Sequence, residues 1–239
     1  IVGCVQIAVL VAVIGPLEKR WAVEPVTDRG AIQVDVLYTL IHRLGLFRVA
    51  LFFSVDPLFD ELFGMARVEG WSTWHLDQVW AGVTDSAVAS FLIYLVVFDF
   101  VDYWMHRGQH QFDWWWKLHA LHHSQQQMTM WSDNRNHLLD DVLRDAILVV
   151  VAQLIGVGPG QFVAIVALTQ LSENFHHANL RLWFGRVGER LWVSPRFHRR
   201  HHSIGIGHES QQQPSRLGGV NFGVLLPWWD MLLRTADFT

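Results

Sequence analysis

The chain has 239 residues, 51% of them apolar and only 17% charged, with a formal net charge of −4. Soluble domains carry about 25% charged residues, so this composition, with a mean hydropathy of +0.20, points to an integral membrane protein of one domain and excludes a disordered chain. The acidic balance gives nucleic-acid binding no support, and the single cysteine, Cys4, excludes an internal disulfide or a thiolate zinc site.

Residues Ile1 to Ile14 are almost wholly apolar and run up to Gly15-Pro16. That is shorter than the about 20 residues a span needs. The chain begins without Met, so the run is expected to continue a segment that starts upstream. A signal-peptide core is the alternative, but Leu17-Glu18-Lys19-Arg20 follows where a small-residue cleavage site would stand. A second apolar stretch, Val36 to Val55, carries His42, Arg43 and Arg48, so it is not a clean span. Arg48 there is either functional or paired with a carboxylate that the sequence does not name. A third stretch, Val79 to Met105, is most apolar at Ala87 to Val97 and ends near Asp99 and Asp102. Ala146 to Ile155 and Phe162 to Leu171 flank Gly156-Val157-Gly158-Pro159-Gly160 and predict a hairpin of two half-spans.

These segments predict an all-α membrane protein. About four transmembrane or half-spanning helices carry a helical, histidine-rich cap, with N-terminal helices over residues 1–79 and the motif-bearing part over 80–239. Six arginines fall between Arg181 and Arg200, and Lys19, Arg20, Arg107, Lys117 and Arg135 join them on one side. The opposite loop, residues 56–76, offers only Arg67. The positive-inside rule then puts the histidine-rich face in the cytoplasm. Trp71, Trp74 and Trp80 fit an aromatic belt on the other side. Trp114-Trp115-Trp116 could anchor the cap in the headgroup layer, line a lipid entrance or fill core.

Eleven of the 14 histidines lie between His106 and His202. They form clusters: His106 with His110; His119 with His122 and His123; His176-His177; and His198 with His201 and His202. His137 stands alone. On a helix, positions i, i+3 and i+4 share a face, so each pair or triple projects several imidazoles together. Four such clusters suffice for two metal ions. All-imidazole ligation suits iron, zinc, copper or nickel and disfavours magnesium and calcium. A histidine tag or buffering tract would not be spread over a hundred residues of ordinary sequence. His42, His75 and His208 have no partner at ligand spacing and read as structural.

The run Asp99-Phe-Val-Asp102-Tyr103-Trp104-Met-His106-Arg107-Gly-Gln-His110, followed by Leu118-His119-Ala-Leu-His122-His123-Ser124, resembles the fatty acid hydroxylase / sterol desaturase superfamily. Asn174-Phe-His176-His177-Ala-Asn179, Pro195-Arg-Phe-His198-Arg-Arg-His201-His202-Ser203 and Asn221-Phe-Gly223 with Trp229-Asp230 and Thr235 match its later segments in order. The closing signature departs from the family pattern, reading Asp230-Met-Leu-Leu-Arg-Thr235. The resemblance covers roughly residues 80 to 239. It implies two iron ions as cofactor (zinc can replace them in a purified sample), O2 as co-substrate, a lipid substrate and an external electron donor such as cytochrome b5 or a ferredoxin. It also implies ligands at His106, His110, His119, His122, His123, His177, His198, His201 and His202, with His176 and His137 as further candidates.

Ligand rings need acceptors for their second nitrogen. Asp99 and Asp102 lie seven and four residues before His106 and are the first candidates; Asp140, Asp141 and Glu173 follow. The function expected is O2-dependent hydroxylation or desaturation of a lipid. A non-catalytic subunit of a larger membrane complex is the alternative, and a zinc hydrolase or isomerase ranks after it.

Overall fold

The computed structural model describes residues 1–203 and 219–239. Every regular element among them is helical. Helix α1, Val2–Arg20, is 19 residues long, about 28 Å at 1.5 Å per residue. It continues past Gly15-Pro16, where the apolar run stops. The helix widens to a π turn over Leu10–Ile14, with the Gly15 N–H reaching the Leu10 carbonyl, and Pro16 then falls in a first turn that needs no donor from it. Gly3 lets α1 approach its neighbour closely, since a Cβ there would lie 1.7 Å from the Arg43 carbonyl oxygen.

The second apolar stretch forms α2, Arg29–Arg43, and α3, Leu46–Ser54, bent by 49°. Gly45 makes the break, at φ 82°, where a side chain would be strained. Helix α4 follows, Asp56–Val68. Arg48 finds the partners the sequence left unnamed, Asp56 at 2.7 Å and Asp145 at 3.2 Å. Helix α5, Ala87–Gln111, has 25 residues and runs from the apolar stretch into the first histidines. A short α6, Asp113–His119, turns back from it.

The hairpin is longer than expected: α7, Leu138–Ile155, and α8, Pro159–His177. Gly156 ends α7 at φ 73°. Helix α9, Pro195–His201, is capped by the Ser194 side chain, and α10 is Trp228–Leu233. About four transmembrane or half-spanning helices are expected; among the described residues two, α1 and α5, are long and apolar enough to cross a membrane, and three if α2 and α3 together form one. Helix α7 carries Asp140, Asp141, Arg144 and Asp145 in its first half, and these pair with His119, His42, Asp102 and Arg48.

Tyr94, Leu95 and Phe98 of α5 pack on Ile165 of α8 and on Leu225 and Leu226 near the C-terminus. Leu10 and Ile14 of α1 pack on Met130, Ala178 and Leu180. The opposite faces, with Val11, Phe53, Val88 and Leu92 among them, are exposed and apolar, as hydrocarbon-facing helices require.

Candidate metal centre

Asp99 ties the C-terminus to α5. Its carboxylate accepts from the Leu225 N–H at 2.7 Å and the Trp229 indole at 2.8 Å. Asp230 closes the same segment, accepting from Phe222 N–H, Gly223 N–H and the Thr235 hydroxyl at 2.9, 2.6 and 2.6 Å. The altered family signature therefore keeps its two bonding residues, Asp230 and Thr235. The clamp sets two carbonyls behind the histidines: the Nδ1–H of His106 donates to Phe222 O at 2.9 Å and that of His201 to Val220 O at 2.7 Å. His177 does the same to Glu173 O at 2.8 Å, and His119 donates to the Asp140 carboxylate at 3.2 Å.

Carbonyls and carboxylates accept only, so these four rings carry the proton on Nδ1 and present a lone pair at Nε2. Nine imidazoles fall into two groups, each with its ligand atoms within 4.8 Å of one another: His106, His110, His119, His123 and His201; and His122, His177, His198 and His202. The groups adjoin, with the His123 and His202 rings stacked at 4.2 Å. Each triple expected to share a face is divided between them. His122 and His123 sit on a single turn of 3-10 helix rather than an α-helix, and His201 is offset around α9 from the i, i+4 pair His198 and His202.

A cation fits this donor set. His177 Nε2 stands 3.1 Å from His122 Nε2 and 3.0 Å from His198 Nε2, which lies 3.2 Å from His202 Nε2. Ligands at right angles on a metal, with bonds of about 2.1 Å, are about 3.0 Å apart. The Nε2 atoms of His119, His123 and His201 are buried without a hydrogen-bond partner among the described residues, a costly state for a polar atom that binds nothing. Burial holds the rings neutral: His201 is lowered to about 3, and His122, His123, His198 and His202 lie well below the usual imidazole value, desolvation being the largest cause of each. A cavity of about 30 Å³ touches both groups, with Arg144 and Glu173 in its wall. A larger one, about 540 Å³, lies at the hairpin turn beside Arg48, His75 and Gly156, and shares no lining residue with the first.

Other expected site residues fall elsewhere. His137 Nδ1 accepts from the Leu139 N–H and caps α7. His176 stands outside both groups, its Nε2 2.9 Å from the Ser172 hydroxyl. Asp99 and Asp102 do not back a histidine ring: Asp99 is occupied as above, and Asp102 lies 3.6 Å from Arg144. Asp140, ranked behind them from sequence, faces His119 instead. Arg144 and Asp133 were not singled out; Arg144 also meets Glu173 at 3.4 Å, and Asp133 is paired with Arg43 at 3.1 Å. Of the tryptophans, Trp114 is exposed, Trp115 is buried against Asp140, and Trp116 packs on His110 and His123. His208 lies outside the described residues.

A helical membrane scaffold carrying two adjoining all-histidine groups defines the class, and the chain belongs to the fatty acid hydroxylase family, which it matches over residues 91–235. It is similar to the ornithine lipid hydroxylase OlsE of Rhizobium tropici, with 26% identity over 220 residues, 92% of this chain and 60% of that protein. The chain thus spans less than two thirds of that relative's length. No solved structure matches it.

Proposed function

We propose that the chain is a membrane-bound di-iron oxygenase that hydroxylates a C–H bond of a lipid, with O2 as co-substrate and electrons from a separate donor of cytochrome b5 or ferredoxin type. One observation carries this reading: nine imidazoles in two adjoining groups, at the end of lipid-facing helices. Family membership and the relative's name support a lipid substrate and hydroxylation over desaturation. All-imidazole donors suit iron, and no carboxylate stands in either group to favour hydrolytic chemistry.

When bound, the metal pair supplies the reduction of O2 to an oxidant able to break an alkyl C–H bond. The chain's own residues hold and shield it. His106, His110, His119, His123 and His201 would hold one ion, and His122, His177, His198 and His202 the other. The carbonyls of Glu173, Val220 and Phe222 fix ring orientation and tautomer. Phe222 and Trp116 pack on the rings and exclude water. The positive-inside rule applied to the arginines from Arg181 to Arg200 supports a cytoplasmic orientation of this face, where an electron donor would reach it. In this reading residues 1–239 work as one unit.

The test is elemental analysis of the detergent-purified protein beside His122→Ala, then incubation with lipid, O2 and a reductant. About two irons per chain, fewer in the variant, and a lipid product that has gained one oxygen atom are expected. A native chain that binds no iron, even after reconstitution, would move the reading to a non-catalytic subunit of a membrane complex.

A further inference from the structure

Asp140 opens α7 and is 1% exposed. Its carboxylate accepts from Gln109 Nε2 at 2.8 and 2.9 Å, from Trp115 Nε1 at 2.7 Å and from His119 Nδ1–H at 3.2 Å. The donors come from α5 and α6, so one side chain fastens three helices beside the first histidine group. A neutral acceptor would satisfy the Gln109 amide and the Trp115 indole equally well. A buried carboxylate is costly unless a positive charge compensates it. Arg144 acts on this carboxylate at longer range, and within 4 Å, among the described residues, the partner that can carry charge is His119.

The other side of that ring explains the charge. His119 Nε2 is buried, has no hydrogen-bond partner among the described residues and belongs to the first group. A cation at Nε2 polarises the imidazole, and a carboxylate behind Nδ1–H answers it better than an amide or carbonyl does. Within the two groups, among the described residues, His106, His177 and His201 also donate from Nδ1, and they rest on backbone carbonyls. Asp133 comes no nearer than 3.8 Å to His177 Nδ1 and is already paired with Arg43.

We infer that Asp140 is a positioning residue that acts through His119 to make the two metal positions unequal, the first group binding the more tightly. The inference rests on the metal reading above. Cobalt(II) is the probe, because its absorption reports ligand number and type without turnover. Titration of metal-free native protein is expected to show two separable steps. Asp140→Asn keeps the shape but not the charge, and should weaken the first step about 10- to 100-fold while leaving the second in place. Asp140→Glu should restore part of the loss. Trp115→Phe, which removes a neighbouring bond to the same carboxylate, should leave the first step nearly unchanged.

Equal weakening by Trp115→Phe and Asp140→Asn would overturn the inference in favour of simple packing, as would two intact steps in Asp140→Asn. Two indistinguishable sites in the native protein would overturn it without any variant having to fold. A native protein that takes up no cobalt would bring down the metal reading and this inference with it.

Discussion

His177 Nε2 lies 3.0 Å from His198 Nε2, and the Nδ1–H of His177 is held from behind by the Glu173 carbonyl. The His177 lone pair therefore points at a second imidazole across the space a cation would take. Without metal, these nitrogens are left to pair with one another. Bound metal converts this arrangement into stability by mass action, about 2.7 kcal/mol at a hundredfold excess over Kd. His198→Ala should take up one metal fewer per chain than the native protein. Its Tm should rise less on metal addition, while its metal-free Tm changes little. Calorimetry with and without iron or zinc checks this; an undiminished metal-induced rise in His198→Ala would count against the second group as a site.

Asp230 joins the C-terminal segment to the ligands it supports. It is fully buried and accepts from Phe222 N–H, Gly223 N–H and Thr235 Oγ1. Asp230→Ala leaves the Phe222 and Gly223 N–H groups unpaired, at about 1–3 kcal/mol each, while the Thr235 hydroxyl keeps Tyr103 Oη at 3.0 Å. The loss should also release the Phe222 carbonyl from His106. We expect a clear fall in Tm together with reduced metal content of the first group. Thr235→Val, which removes one donor and leaves two, should lower Tm by a smaller amount.

Much of this site is written locally. His106 and His110, and His198 and His202, share faces because they are four residues apart on helices, and the sequence shows it. The partition of the rest is not local. His122 and His123 are neighbours in sequence but fall in different groups, because a single turn of 3-10 helix rather than an α-helix carries them. Asp140 is 21 residues from His119, and no spacing rule links them; Asp99 and Asp102 share α5 with His106 and so attracted the role on proximity along the chain. The hairpin turn was legible from its glycines and proline. The continuation of α1 past Pro16 was not, because a π turn leaves no signature in hydropathy.

Burial also sets the response to acid. His201 titrates near about 3 in the fold, and His122, His123, His198 and His202 are held well below the ordinary 6.5. The unfolded chain therefore takes up protons below pH 6.5 that these rings refuse in the fold, so their contribution to stability falls as pH drops from 6.5 toward 3, against a smaller opposing gain from Asp141 and Asp230, which burial raises to about 7 and about 6. Each such ring contributes up to about 1.4 kcal/mol per pH unit in that window. Metal-free protein should lose Tm steeply between pH 6.5 and 5, and bound metal should be released over the same range as protons compete for the imidazoles. Melting curves at stepped pH, with released metal measured in the filtrate, would show it; a flat Tm across that interval contradicts the buried neutral state.

Arg43 stands at the end of α2, where its Nη2 donates to Asp133 Oδ2 at 3.1 Å, Gln170 O at 3.2 Å and Asn174 Oδ1 at 2.7 Å. Its side chain is 2% exposed and that of Asp133 10%. Arg43→Met strands a buried carboxylate and two further acceptors, which costs about 3–5 kcal/mol. Arg43→Lys keeps the charge but replaces a planar fork with a point donor, so it should recover only part. The damage should reach the second group, because Asp133 lies 3.8 Å from His177 Nδ1 and an unpaired carboxylate can turn to that ring. Arg43→Met is therefore expected to lower Tm and to disturb metal uptake at the second group more than at the first. Adding Asp133→Leu to Arg43→Met removes the stranded charge and should return part of the stability. A double variant no more stable than Arg43→Met would mean that the guanidinium acts through Asn174 and Gln170 rather than through its ion pair.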